Sequence, residues 1–169
     1  GRTDMNKQVI SVLVDNHSGV LTRISSLFGR RGFNIDSLTV SATNDPAVSR
    51  ITIVVHDDAK VLQQIVLQTA RLEETRHIFV LDPAVSLFRE LLLLKVEATQ
   101  ANRSELREIG SIYKAKIIDL SPESLVFELT GEPDKIDAFL KMMEGFTILE
   151  MCRTGITALE RGGASEHLL

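Results

Sequence analysis

Cysteine, tryptophan and tyrosine are almost missing from this sequence, and so is any excess of positive charge. Cys152 is the only cysteine among 169 residues, so no disulfide can close within the chain, which fits a reducing cytosol. It reads as a strand filler rather than a nucleophile. There is no tryptophan and a single tyrosine, and the formal net charge of −4 leaves no basic footprint for nucleic acid, whose binding needs clustered Lys and Arg. The pair Arg30-Arg31 is too short to change that. No apolar run approaches the ~20 residues of a membrane span, and the start GRTDMNKQ lacks the hydrophobic stretch of a signal peptide. The expected setting is soluble and cytoplasmic. Gly1 to Asp4 precede a methionine and read as an appended stretch, with Met5 the expected native start.

Signatures of reaction chemistry are absent too. The chain has no Gly-x-Ser-x-Gly elbow, no phosphate loop ending in Gly-Lys-Ser/Thr, no His-Glu-x-x-His and no glycine-rich dinucleotide fingerprint. His17, His56, His77 and His167 are scattered without ligand spacing, and His56-Asp57-Asp58 reads as a strand end entering a helix N-cap rather than as a metal patch. Glu73-Glu74 and Asp119 lack partners at a spacing that suits acid–base work, and read as solvated faces. No catalytic and no metal-binding residue is expected.

What is present is apolar patterning. Hydrophobic residues make up 44% and charged residues 25%, enough for a core and too apolar for general disorder. Periodicity predicts a strand over 8–14, a helix over 18–31, strands over 33–42 and 47–56, a helix over 58–72 and a strand over 75–81. This order, βαββαβ, repeats after a linker at 83–86: strand 88–98, helix 103–113, strands 116–120 and 125–130, helix 133–143 and strand 147–159. The expected fold class is α+β with two tandem domains, at 8–82 and 87–161, and a flexible tail over 162–169. The apolar phase slips between Ile35 and Leu38, which predicts a bulge near Asp36 and Ser37. Asn102 with Glu105 suggests a capping box. Each half of ~80 residues is marginal alone, both sheets have one face without helices, and Leu91 to Leu94 are apolar on both faces of a strand. A homodimer or larger assembly is expected.

The segment from Asp15 to Val40 carries the strongest functional signal. Ser18 is the expected N-cap of the first helix and Gly32 its stop. Unpaired N–H groups of the first turn, at the positive end of the helix dipole, suit a carboxylate, and Gly19 has no side chain to obstruct it. Asn34, two residues past Gly32, carries an amide that can donate and accept. Together these suit an amino-acid backbone. Taken singly, Asn16, Ser18, Gly19 and Asn34 are ordinary turn and cap residues, and spacing alone leaves both readings open.

The βαββαβ order also occurs in RNA recognition motifs, which stack bases on aromatics of the central strands. Here the strand over 47–56 has Ile51, Thr52, Ile53, Val54 and Val55 and no aromatic, which sets that reading aside. Three stretches instead carry a family resemblance: Asn16-His17-Ser18-Gly19-Val20-Leu21, Leu27-Phe28-Gly29-Arg30-Arg31-Gly32-Phe33-Asn34-Ile35-Asp36-Ser37-Leu38, and Ser49-Arg50-Ile51-Thr52-Ile53. They resemble the ACT domain of acetohydroxyacid (acetolactate) synthase regulatory subunits, and Lys116-Ile117-Ile118-Asp119 and Arg153-Thr154-Gly155-Ile156 extend the likeness into the second half. The resemblance implies two ferredoxin-like domains, the first an ACT domain, in a non-catalytic subunit. It implies binding of a branched-chain amino acid, usually valine, between two ACT domains, and association with a catalytic large subunit that is activated and made open to feedback inhibition. Thiamine diphosphate, Mg2+ and FAD are expected only on that partner, and no cofactor on this chain. Carried over residue by residue, the effector-binding positions are Asn16, Gly19, Val20, Leu21, Asn34 and Ile35. His17 is given no role. An ACT-type sensor attached to another amino-acid pathway enzyme is the alternative.

Overall fold

Alternating apolar residues build two antiparallel sheets. The computed structural model describes residues 7–163; the expected start at Met5 and the tail after 163 lie outside the described residues. The first set of elements is β1 (Lys7–Asp15), α1 (Val20–Arg31), β2 (Ile35–Ala42), β3 (Val48–His56), α2 (Ala59–Ala70) and β4 (Thr75–Leu81). A single 3-10 turn at Pro83–Val85, with Asp82 accepting from the Ala84 N–H at 2.9 Å, leads onward. The second set is β5 (Ser86–Glu97), α3 (Arg103–Tyr113), β6 (Lys116–Leu120), β7 (Ser124–Gly131), α4 (Pro133–Met142), β8 (Ile148–Arg153) and β9 (Thr157–Glu160). Strand order is β2-β3-β1-β4 in one sheet and β6-β7-β5-β8 in the other, with β9 pairing β5. The doubled βαββαβ plan read from the sequence is the architecture found.

The first core lies where the sheet meets its helices. β1 and β3 pair without interruption from Lys7↔His56 to Asp15↔Val48. Period-2 alternation therefore puts Ile10, Val12 and Val14 beside Ile51, Ile53 and Val55, facing Val20, Ile24, Leu27 and Phe28 of α1 and Ile65 of α2. β2 is an edge strand, and its register slips between Ile35 and Ser37, so Asp36 is the extra residue of the expected bulge. The second core is built likewise from Leu92, Leu94, Val96, Phe127 and Leu129 against Leu106, Ile136 and Phe139. Phe127 and Phe139 meet edge to face at 5.3 Å and 87°. Leu91 and Leu93, on the other face, are half-buried.

Several expectations are corrected. Ser18 does not cap α1: the helix begins at Val20, its N-cap is Gly19, and no side chain bonds to the turn. The Asn102–Glu105 capping box does not form, because Asn102 turns back, accepting from the Thr99 N–H at 2.7 Å and donating to the Glu97 carbonyl at 3.3 Å. The single strand over 147–159 is two, β8 and β9, separated at Gly155, whose φ of 84° no extended strand allows. Glu74 is not on a solvated face: it is buried and its carboxylate meets Arg23 at 2.6 Å.

Chain connectivity and compactness also differ. Phe88–Gly155 forms one compact unit, whereas the described residues 156–163 belong with residues 7–87. Ile156 and Ala158 are buried, and the charge of Glu160 acts on Arg50, whose guanidinium burial holds below its ordinary pKa and which donates to Ser11 Oγ. Val9, Ser11, Leu13, Thr52, Val54 and Leu81, on the face of the first sheet away from its helices, are already buried.

Candidate effector site

The glycine turn is held by backbone rather than by a capping side chain. After β1, the Asn16 N–H donates to the Ala47 carbonyl at 2.8 Å and its side-chain amide to the Pro46 carbonyl at 3.0 Å, pinning the loop to the β2–β3 connection. Gly19 then adopts φ 90° and ψ −13°, a left-handed conformation that favours glycine. A Cβ added there would meet nothing within 4 Å. The first turn has no acidic residue and no side-chain cap, so its N–H donors and the positive end of the helix dipole are open to an outside anion. Val20 is buried in the core, whereas Leu21, 45% exposed, flanks the turn.

The Asn34 end has the opposite character. Its N–H donates to Asp57 Oδ2 at 2.9 Å and its side-chain Nδ2 to Asp57 Oδ1 at 3.1 Å, while its carbonyl accepts from the His56 N–H at 3.0 Å. The Asn34 N–H and one hydrogen of its side-chain NH2 are thereby used inside the chain, and the amide oxygen is turned away from Asp57 as an acceptor. Asp36, the bulge residue, faces His56 at 3.3 Å. Phe33, Asn34, Ile35, Asp36 and His56 line an open hollow of about 510 Å³. Ile35 packs on the first core from the rim of this hollow.

The six expected effector residues thus fall into two groups. Asn16, Gly19, Val20 and Leu21 lie where β1 ends and α1 begins, and Asn34 and Ile35 lie where β2 begins. The 12 residues of α1 separate the groups, about 18 Å at 1.5 Å per residue. One chain does not bring them together. Asp57, the partner that fixes Asn34, escaped the sequence reading, which took it for part of a helix cap; only Asp58 has that role, accepting from the Val61 N–H at 2.9 Å. Counting outward from the Asn44–Pro46 turn, with one residue allowed for the bulge, would have set Asn34 beside His56 and Asp57.

Residues 10–77 match the profile of the "AHAS small subunit-like ACT domain", and residues 89–162 match that of the "Small subunit of acetolactate synthase". A probable acetolactate synthase small subunit of Methanothermobacter thermautotrophicus is 43% identical over 91% of this chain and 92% of that protein. The chain belongs to the acetolactate synthase small-subunit family. A second relative in it, from Haemophilus influenzae, is 39% identical over 92% of this chain and 96% of its own length. The crystal structure of the acetolactate synthase small subunit from Thermotoga maritima superimposes with a TM-score of 0.86 at 36% identity, covering 93% of this chain and 98% of that one.

Within the acetolactate synthase small-subunit frame, the ACT match spans both half-sites. The match over 89–162 is separate from the ACT match over 10–77, which favours this family over an ACT sensor serving another pathway enzyme. It includes the Arg153-Thr154-Gly155-Ile156 segment, whose role is structural. Arg153 donates to both oxygens of buried Glu90, at 3.1 and 2.6 Å, and to Asp137 at 2.7 Å. The hydrogen bonds to Glu90, despite partial burial, raise the Arg153 pKa from its ordinary value. Thr154 closes the same corner by exchanging bonds with Leu91, at 3.0 and 3.1 Å.

Proposed function

We propose that this chain is the regulatory subunit of an acetolactate synthase, that two copies bind one branched-chain amino acid between their ACT units, and that occupancy sets the activity of the catalytic subunit. The observation that carries the reading is the polarity of the two half-sites. The glycine turn offers donors and positive dipole; the Asn34 end offers acceptors beside carboxylates. A zwitterion is complementary to such a pair, its carboxylate at the turn and its ammonium at Asn34, with Leu21 and Ile35 beside an aliphatic side chain.

Strand order explains how a second copy would complete the site. β2 is an edge, free to pair. A two-fold axis makes two β2 strands antiparallel, so the Asn34 end of one lies against the Ala42 end of the other, which is the end that carries the glycine turn. Neither half-site contains a reacting group, so the chemistry belongs to the catalytic partner, with thiamine diphosphate, Mg2+ and FAD as its cofactors. A ligand held between copies favours one arrangement of the dimer by its differential affinity, and only that difference can reach a remote active site.

The test is acetolactate formation by the catalytic subunit with and without this chain, titrated with valine, leucine and isoleucine. The expected result is activation by the chain and inhibition restored by valine; no change on adding the chain would overturn the reading. Asn34→Ala removes a hydrogen bond to a charged group, which should weaken valine binding by about ten-fold or more. Calorimetric titration of the isolated subunit measures it, and an affinity within about two-fold of wild type would take Asn34 out of the site.

A further inference from the structure

We propose that Asp57 is a positioning residue that makes the site require an amine, so that amino acids are accepted and the corresponding 2-oxo acids are not. The inference rests on the effector reading above and adds a residue and a selectivity rule to it.

The argument is one of hydrogen-bond polarity. An ionised carboxylate only accepts, and the Asp57 carboxylate takes the Asn34 N–H at 2.9 Å and Nδ2 at 3.1 Å, one on each oxygen. This paired grip fixes which way the Asn34 amide faces. With one Nδ2 hydrogen held on Asp57, the amide is kept from turning over: its oxygen, an acceptor, stands clear for a ligand, and the remaining N–H lies next to the Asp57 carboxylate. The backbone carbonyl of Asn34 is occupied by the His56 N–H at 3.0 Å, and Asp36 adds a second carboxylate at the same rim. An α-ammonium supplies donors to such a surface. A 2-oxo group supplies only an acceptor, and would face the Asn34 oxygen lone pair to lone pair. Sites that hydrogen-bond a polar group reject analogues lacking it far more strongly than apolar pockets reject a missing methylene.

Asparagine alone cannot impose this rule. A free amide turns to present either its oxygen or its NH2 group, and so would serve an amine or a carbonyl. Asp57 fixes the orientation, so that the oxygen is the end standing clear of the carboxylate and the one N–H left over sits beside it. In Asp57→Asn the new amide has one acceptor and one donor group, the paired grip is lost, and Asn34 is able to turn. Asp57→Glu keeps the carboxylate and with it the acceptor polarity.

The experiment is calorimetric titration of the full chain and its two variants with valine and with 3-methyl-2-oxobutanoate, its 2-oxo analogue, with thermal unfolding of each variant as the fold control. Wild type should bind valine and reject the oxo acid. Asp57→Asn should lose about ten-fold or more in valine affinity and discriminate less, whereas Asp57→Glu, even if weaker overall, should keep its preference for the amine. Unchanged discrimination in Asp57→Asn overturns the proposal, as does an equal loss of discrimination in both variants, which would make the role of Asp57 one of general structure. If Asp57→Asn does not fold, the result with Asp57→Glu decides: retained preference supports the proposal, and lost preference overturns it. If wild type binds neither compound, the effector reading fails, and this inference fails with it.

Discussion

Single residues divide here between those that hold the fold and those that leave a surface open. Gly19 is of the second kind: its left-handed backbone with open space above it exposes the first-turn donors of α1. Gly19→Asp and Gly19→Asn both carry backbone strain of about 1 kcal/mol, yet only aspartate adds a negative charge where the effector carboxylate is proposed to sit. Inhibition by valine should vanish in Gly19→Asp and survive in part in Gly19→Asn, as read by titrating valine against the reconstituted enzyme. Equal loss in both would assign the effect to strain. Arg153 is of the first kind. Removing it as Arg153→Met leaves Glu90, 6% exposed at its side chain, charged and unpaired in the interior, which should lower stability by about 3–5 kcal/mol. Urea unfolding measures this, and the double variant Arg153→Met/Glu90→Leu should recover much of it.

Among the elements, β2 and β6 occupy equivalent edges of the two sheets and carry bulges at equivalent places, after Ile35 and after Ile117. The bulge in β2 was legible because the apolar phase slips there. The dimer role proposed for β2 has its own consequence, since Val40, 48% exposed, lies on that edge. Val40→Lys places a charge on the pairing strand, a device that natural edges use against association. It should shift the monomer–dimer equilibrium toward monomer by about ten-fold or more, on the order of 1.4 kcal/mol, and weaken valine binding in parallel, because the proposed site is shared. Sedimentation equilibrium with and without valine reads both effects. A monomeric variant that still bound valine at wild-type affinity would show that one copy suffices.

On the scale of the whole molecule, the chain enters the second unit after Leu87 and leaves it after Gly155, so the first unit is made of two separate stretches. The stretch after Gly155 includes buried Ile156 and Ala158, and Glu160 acts on Arg50 of β3. Ending the chain at Gly155 removes that apolar burial and the acidic neighbour of a half-buried arginine. The cost to the first unit should be about 2 kcal/mol or more, seen as a lower unfolding midpoint, although every proposed effector residue is still present. An unchanged midpoint would make the returning segment dispensable.

The sequence by itself determined what depends on neighbours along the chain. Alternation set the strands, 3.6-residue spacing set the helices, and turn residues set the hairpins, so the doubled βαββαβ plan, β4 and α3 could be read from local pattern. The candidate site was legible as a set of residue types, because glycine at a helix start and asparagine at a strand head act through their own backbone and amide. The rest needed partners distant in sequence. Ser18 yielded to Gly19 as N-cap because the loop is tied to Pro46 and Ala47 across the sheet. Glu74 left the surface to meet Arg23, and Asp57 became the partner of Asn34, through contacts between separate elements. Only the tertiary structure decided that the two half-sites lie at opposite ends of one sheet: local periodicity gives the phase of each element, while strand order and register give its place, and distance between functional groups follows from place.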